Sequence, residues 1–364
     1  MAEYLITMRE YNEASNNYDI LYPNTIKENI KDLENLGGAR IVVTIVGGTA
    51  GQAVNLGGTK IATATTNVNG VAIFDNLQYG EYLVSINISG TVKTQNVTID
   101  ALKIYEVSFS IVSSTLNDNS WNTISETSAS GNASNYWNVG DVKTIVISGQ
   151  VGNTTFSNLS IDAYILGINH NAEIEGNNRI HFCIGKANNK TVGLIDSQYA
   201  QYPMTSSGYF SMSYGDSNTN SGGWEGCYMR NSVMQWIKNA LPTDLQNVLK
   251  TVTKYTDNTG GGSDSSSNVT ATTETICLEA EFEVHGTRTY ANSYEQNKQK
   301  QYDYYKNGNS KIRYEYNNTN SAVFWWNRSP YSDSSYLFCR VYFGGSASRS
   351  NSRGCGAVAP CFYV

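Results

Sequence analysis

Acid–base, nucleophilic or metal chemistry needs His, Cys, Asp or Glu held within a few ångströms of one another. This chain of 364 residues offers few such groupings. Its three histidines, His170, His181 and His285, form no cluster in the sequence. His181 sits in an alternating, strand-like run, while His170 and His285 border turns, so each has an account that needs no ligand. The six cysteines, Cys183, Cys227, Cys277, Cys339, Cys355 and Cys361, include no C-x-x-C pair. Zinc sites use tighter spacing, and thiols packed in a core are expected instead, with a Cys339–Cys361 bridge left open. Glu279, Glu281 and Glu283 alternate, which would place three carboxylates on one strand face. Paired carboxylates are the equipment of glycoside hydrolysis, yet a solvated strand face accounts for them better. On this reading the chain carries no catalytic residue, no metal and no cofactor, and is not an enzyme.

Composition narrows the field further. Charged residues make up 15% of the chain, and only 5 prolines stand against 32 glycines. That balance suits short strands and polar loops. A net charge of −6 without basic clusters argues against nucleic acid, whose phosphates demand Lys and Arg. No apolar run has the length of a membrane-spanning helix. The start, MAEYLITMREYNE, lacks the layout of a signal peptide. The expectation is a protein made in a bacterial cytoplasm that reaches the outside by another route, such as a virion.

Three stretches must position whatever function there is. Residues 1–37 read as an attachment or oligomerisation segment. There Thr25 and Glu28 form a capping box, and Ile26, Ile30 and Leu33 follow at helical spacing. Residues 38–112 read as a small β-sandwich, with alternating runs at Arg40–Val46, Val71–Phe74, Tyr82–Ile88, Val97–Ile99 and Ile104–Ile111. The run Thr66-Asn67-Val68-Asn69-Gly70-Val71-Ala72-Ile73-Phe74, followed by Leu77, Gly80, Tyr82 and Val84, resembles immunoglobulin-like modules related to carboxypeptidase regulatory domains. It reads as a spacer. Residues 113–364 form the large domain, with strands expected at Thr144–Ser148, Ser160–Gly167 and Ile180–Ile184. A helix is expected over Tyr228–Leu241, and a second one from Pro242 carrying Leu245, Val248, Leu249 and Val252. Asn258–Asn268, rich in Gly and Ser, reads as a long surface loop inside this domain.

Near the end stands Phe324-Trp325-Trp326-Asn327-Arg328-Ser329-Pro330, and the chain closes on Gly356-Ala357-Val358-Ala359-Pro360. Together with Ile165-Leu166-Gly167-Ile168-Asn169-His170-Asn171, Asn178-Arg179-Ile180-His181-Phe182 and Thr289-Tyr290-Ala291-Asn292-Ser293-Tyr294-Glu295-Gln296, these motifs resemble the variable proteins of diversity-generating retroelements. The resemblance covers residues 113–364. It implies a mainly β fold with some α: an Ig-like β-sandwich followed by an α+β C-type-lectin-like domain, related to that of formylglycine-generating enzymes. Those enzymes depend on metal-binding cysteines, and no such pair is legible here. Calcium-dependent lectins use Trp-Asn-Asp or Glu-Pro-Asn, and Arg328 stands where the acidic ligand would be.

In that family an error-prone reverse transcriptase rewrites adenines near the end of the gene. Asn codons then become codons ending in T or C, which cannot encode Lys, Glu, Gln, Met or Trp. None of these five occurs from Tyr331 to Val364, where about five would be expected from their frequency elsewhere. The resemblance implies a framework of Trp325, Trp326, Arg328, Ser329, Pro330, Phe338, Cys339, Gly345, Ala347, Val358, Ala359 and Pro360. It implies a variable, ligand-binding region over about 327–356, comprising Asn327, Tyr331, Ser332, Asp333, Ser334, Tyr336, Leu337, Arg340, Tyr342, Phe343, Ser348, Arg349, Ser350, Asn351, Arg353 and Cys355. Tyr336, Arg340, Tyr342, Phe343 and Arg349 are expected on one exposed face, with Phe338 and the aromatic framework Phe324-Trp325-Trp326 filling the core beneath. Tyr and Phe offer contact area at small entropic cost, and Ser and Asn offer adaptable hydrogen bonds. The function expected is ligand or receptor binding as a phage tail protein. Its partners would be a host-surface protein or glycan, other virion tail proteins and copies of itself, a trimer first, with no membrane insertion. A structural virion protein with an assembly role, or a tail-associated glycan hydrolase, are the alternatives.

Overall fold

Period-two patterning builds the first part of the chain. The computed structural model describes residues 9–12, 17–20, 38–46, 48, 50–88, 91–196, 210–215 and 217–364. Two short strands, β1 (Arg9–Asn12) and β2 (Asn17–Ile20), pair antiparallel. The attachment stripe of Ile26, Ile30 and Leu33, with its capping box, lies outside the described residues. The chain divides into two units, Met1–Ile111 and Val112–Val364.

In the first unit β3 (Ala39–Val46) buries every second residue. It is followed by β4 (Ala53–Gly58), β5 (Ala62–Thr65), β6 (Val71–Leu77), β7 (Gly80–Ile88), β8 (Thr91–Ile99) and β9 (Ile104–Ser110). These form two sheets, β6-β3-β9 and β5-β4-β7-β8, with β3 parallel to β9. Ile41, Val43, Val54, Phe74, Leu77, Tyr82, Val84 and Val107 belong to one buried core, which makes the pair of sheets a sandwich. The Asn69-Gly70 turn forms as the sequence suggests: Gly70 has φ +71°, and a Cβ there would meet the Ile45 carbonyl oxygen at 2.5 Å. Strands β4 and β5 escape a pattern search because Gly, Asn and Thr dilute their alternation.

The second unit is mainly β with short helices. Its largest sheet runs in the order β10 (Val142–Val151), β11 (Thr154–Ile168), β12 (Ile180–Ala187), β22 (Cys361–Tyr363) and β16 (Ile276–Cys277), with β13 (Lys190–Thr191) beside β12. The chain's last strand is thus inserted between strands from the middle of the sequence. Val364 and Ile180 exchange backbone hydrogen bonds of 3.0 and 2.8 Å. Helix Trp121–Ala129 starts where the Ser120 side chain accepts the Thr123 amide. The helix expected over Tyr228–Leu241 is a π-turn, Met229–Val233, running into an α-helix, Met234–Ala240. The second helix is shorter than expected. It spans only Thr243–Gln246 after Pro242, and Val252 begins β14 (Val252–Asp257) instead. Asn258–Asn268 joins β14 to its antiparallel partner β15 (Val269–Glu274), inside one unit. Strands β17 (Arg313–Glu315) and β18 (Asn318–Val323) form a hairpin. A last sheet follows, β19 (Trp325–Pro330), β20 (Leu337–Val341) and β21 (Ala347–Asn351).

Beneath β19 the interior is ionic. Arg328, fully buried, grips Glu283 through two nitrogens and donates to Thr256 Oγ1 at 2.8 Å and to the Leu278 carbonyl at 2.9 Å. Lys254 bridges Glu283, at 2.8 Å, and Glu175. Burial alone would raise Glu283, but Arg328 and Lys254 hold it well below the usual carboxylate range. Burial raises Glu175, and Lys254 only partly offsets this, so Glu175 takes up a proton more readily than Glu283. The alternating Glu279, Glu281 and Glu283 therefore do not form a solvated strand face. Glu281 and Glu283 lie on the helix Glu281–His285, and all three side chains are buried. Glu281 accepts the amides of Thr289, Tyr290 and Ala291 at 2.8–3.0 Å. Burial of a carboxylate is tolerable only with such partners.

His170 stacks on Tyr302 with centroids 3.9 Å apart, and its Nε2 lies 4.0 Å from Glu175. Burial, aided by Lys254, pushes His170 down to about 3. An unfolded chain protonates this imidazole near pH 6.5 and the folded chain does not, so the stability it contributes is full above pH 6.5 and is lost as pH falls toward the folded value. Glu295 and Asp196, raised by burial to about 7, act in the opposite sense between the ordinary carboxylate range and neutrality. His170→Gln isolates the first effect. The stability difference between wild type and this variant should shrink by about 1.4 kcal/mol per pH unit below about pH 6. Urea titrations followed by tryptophan fluorescence measure it in the second unit, since all six tryptophans lie there. A difference that stays flat from neutrality into acid would contradict the buried, neutral His170.

Candidate recognition surface

The three-stranded sheet at the C-terminus, together with the turns that join its strands, carries most of the predicted positions. β19 pairs with β20 through Trp325–Val341, Trp326–Arg340 and Pro330–Phe338, and β20 pairs with β21 throughout. Trp325, Trp326, Phe338 and Val341 are fully buried. Gly356 is required beside them, because a Cβ there would come within 2.6 Å of Trp326 Nε1. By contrast, Tyr336, Tyr342 and Phe343 are exposed at 45%, 43% and 39%. Large aromatic area in water has no folding benefit, so these side chains, like Tyr214 and Tyr294 elsewhere in the unit, are left over by the fold.

Two arginine–aromatic clusters emerge, not one face. Arg340 lies 4.0 Å over the Phe324 ring and 5.7 Å from Tyr342, and Phe343 contacts both Tyr342 and Phe324. Arg349 lies 4.5 Å over Tyr290 and 5.6 Å from Tyr331. The single face expected for Arg340 and Arg349 fails for a register reason. Arg340 is opposite Ser348 and Cys339 opposite Arg349, so the two arginines alternate to opposite faces of the β20–β21 ribbon. Ser348 and Ser350 fall on the Arg340 face, Leu337 and Asn351 on the Arg349 face. Asp333, Asn351, Arg353 and the free thiol of Cys355 are exposed, while Ser334, Leu337, Ser348 and Ser350 are half-buried.

Two predicted positions are not at the surface. Ser332 is buried, accepts Arg288 Nη2 at 3.2 Å and donates to the Tyr290 carbonyl at 3.2 Å. Asn327 is fully buried, because β19 is enclosed along its whole length. Neither of its amide atoms has a hydrogen-bond partner among the described residues.

Residues outside the predicted region shape the surface too. Buried Asn220 donates to the carbonyls of Ser334 at 2.6 Å and Leu337 at 2.9 Å, clamping the loop 331–336. Tyr290 supplies a ring to the Arg349 cluster, and Arg288 joins Asp264 to Ser332. No local signal marks Asn220, whose role exists only through contacts distant in sequence.

The buried groups that could hold a metal lie elsewhere. His170, Glu175 and Glu283 converge within 4.8 Å, but Lys254 and Arg328 already neutralise them. Cys183, Glu279 and Cys361 converge likewise. All six cysteines are free, and Cys361 pairs in register with Cys183 and Cys277. The bridge left open between Cys339 and Cys361 is therefore not formed, and a cysteine pair does exist where none was legible.

Residues 192–364 match a family described as a domain of unknown function, DUF6273. No curated protein matches the chain. Among solved structures, a Pseudomonas aeruginosa protein whose description proposes carbohydrate binding shares 15% identity over 21% of this chain and 90% of its own, with a TM-score of 0.17. The Bacillus anthracis TIE protein shares 11% identity over 41% of this chain and 28% of its own, also at 0.17. Scores this low carry no argument about fold or ligand.

Asn327 yields a direct test. An unpartnered buried amide loses its hydration without compensation, at about 1–3 kcal/mol. Asn327→Leu, similar in volume, should therefore stabilise the second unit by on the order of 1 kcal/mol or more in urea denaturation. Destabilisation instead would mean that the amide has partners in solution.

Proposed function

We propose that the second unit is a ligand-recognition module of C-type-lectin-like design, whose C-terminal surface is diversified by a retroelement. We further propose that the chain serves a phage tail as a receptor-binding protein for a host-surface protein or glycan. The observation that carries this reading is the division of aromatic side chains within one short sheet. Trp325, Trp326 and Phe338 are fully buried, while Tyr342 and Phe343, one and two residues beyond β20, stand in solvent beside Arg340. Exposed Tyr, Phe and Arg side chains held on a rigid base are the composition of binding hot spots. The absence of Lys, Glu, Gln, Met and Trp from Tyr331 onward supports diversification of that surface. The engagement of Glu279, Glu281 and Glu283 by internal partners weighs against the hydrolase alternative, which would need accessible carboxylates.

Paired measurements of binding and stability test the reading. Tyr342→Ala and Phe343→Ala should change stability by less than about 0.5 kcal/mol. Each should weaken binding to host cells or an isolated receptor by on the order of 1–3 kcal/mol. Trp326→Ala should cost about 3–5 kcal/mol of stability through the cavity it leaves. Unchanged binding in both surface variants would remove these residues from the recognition site.

A further inference from the structure

Several elements of the second unit converge on a buried knot of sulfur, carboxylate and guanidinium that the recognition surface does not use. Cys183 on β12 stands directly opposite Cys361 on β22, and Glu279 follows β16 on the other side of β22. All three side chains are buried, at 0–1% exposure. Their donor atoms lie within 4.8 Å of one another. Cys183 Sγ is 3.7 Å from Glu279 Oε1. Zinc bound to sulfur at about 2.3 Å and to oxygen at about 2.0 Å in a tetrahedron has an S···O edge of about 3.5 Å. A second, separate observation concerns Glu279 Oε2, which is buried with no hydrogen-bond partner among the described residues. Its other oxygen accepts the Tyr305 hydroxyl at 3.0 Å. An unpaired carboxylate oxygen facing no solvent is costly unless a proton or a cation meets it.

We propose that Cys183, Cys361 and Glu279 form a buried structural site for one zinc ion, with Glu279 able to offer both oxygens. The donor set selects the metal class. Two thiolates beside one carboxylate suit a borderline-soft ion and not calcium or magnesium, which take oxygen alone. Charge balance agrees. Two thiolates and a carboxylate total −3, and zinc with the Arg313 guanidinium supplies +3. Arg313 Nη2 lies 3.1 Å from Cys183 Sγ and 3.3 Å from Glu279 Oε1, so it acts as an outer hydrogen-bond donor to the ligands. As zinc takes the two sulfurs and the carboxylate, the protons carried by the Cys183 and Cys361 thiols and by the Glu279 carboxyl leave to solvent. The ion would tie β12, β22 and the segment after β16 together, and it would enter during folding because the site is closed.

The test uses the full chain, produced with zinc in the medium and dialysed against metal-free buffer. Elemental analysis and native mass spectrometry should find one zinc per chain. Replacing it with cobalt(II) should give a thiolate-to-metal charge-transfer band and the ligand-field bands of a tetrahedral ion. Cys361→Ser and the gentler Glu279→Gln should each lower retained metal by roughly tenfold or more, while Cys339→Ser and Cys355→Ser retain it. The wild-type measurements stand even if Cys361→Ser fails to fold. A wild-type chain that holds no zinc and gives no thiolate–cobalt band overturns the site, leaving Arg313 as the cluster's sole cation. So does a Cys183–Cys361 disulfide.

Discussion

Everything near the C-terminal surface depends on the buried grip of Arg328 on Glu283. A guanidinium and a carboxylate taken out of water are each costly, and only their mutual contact with further hydrogen bonds offsets that. Here the further bonds reach Thr256 on β14, the Leu278 carbonyl and, through Glu283, Lys254. One side chain on β19 thus fixes the positions of three other segments. Breaking such a pair by removing one partner typically costs about 3–5 kcal/mol. Trp326, two residues earlier on the same strand, pairs in register with Arg340, and Arg340 lies against Phe324 and Tyr342.

A second feature makes that arrangement suited to variation. The backbone around the exposed aromatics is held largely by groups that their own side chains do not supply. Asn220 clamps the carbonyls of Ser334 and Leu337, and the Tyr331 amide meets the Leu337 carbonyl at 3.0 Å. The Ser352 amide meets the Tyr336 carbonyl at 2.9 Å, and Glu281 holds the amides of the segment carrying Tyr290. Side chains at Tyr336, Tyr342 and Phe343 can change without removing any of these bonds. Arg340 and Arg349 are less free, since each rests on aromatic rings that a shorter side chain would uncover.

How much of this was legible follows from how local each signal is. Alternation along Ala39–Val46 and the Asn69-Gly70 turn are local, and both read correctly. So did Trp325 and Trp326, which are buried, but Phe324, read with them as core, is only half-buried and meets Arg340 and Phe343 instead. The three glutamates misled because their spacing fits a strand, whereas Glu279 and Glu283 are buried against Arg313, Arg328 and Lys254, and Glu281 against the amides of Thr289, Tyr290 and Ala291, partners that no spacing rule shows. The Cys183–Cys361 juxtaposition is created by inserting the last strand into the middle of a sheet, which no spacing rule anticipates. Asn327 reads as a surface residue by its chemistry and is enclosed only because β19 is covered on both sides.

The central claim is that a rigid, ion-paired framework carries a surface whose side chains are free to vary for recognition. Sequencing many copies of this gene from the population that carries it tests that claim most directly. Substitutions should concentrate between Tyr331 and Cys355, at codons open to adenine rewriting and at the exposed side chains, led by Tyr336, Tyr342 and Phe343. Trp325, Trp326, Arg328, Phe338 and Asn220 should stay constant. Substitutions spread evenly along the gene, or falling on the buried framework as often as on the exposed positions, would contradict it.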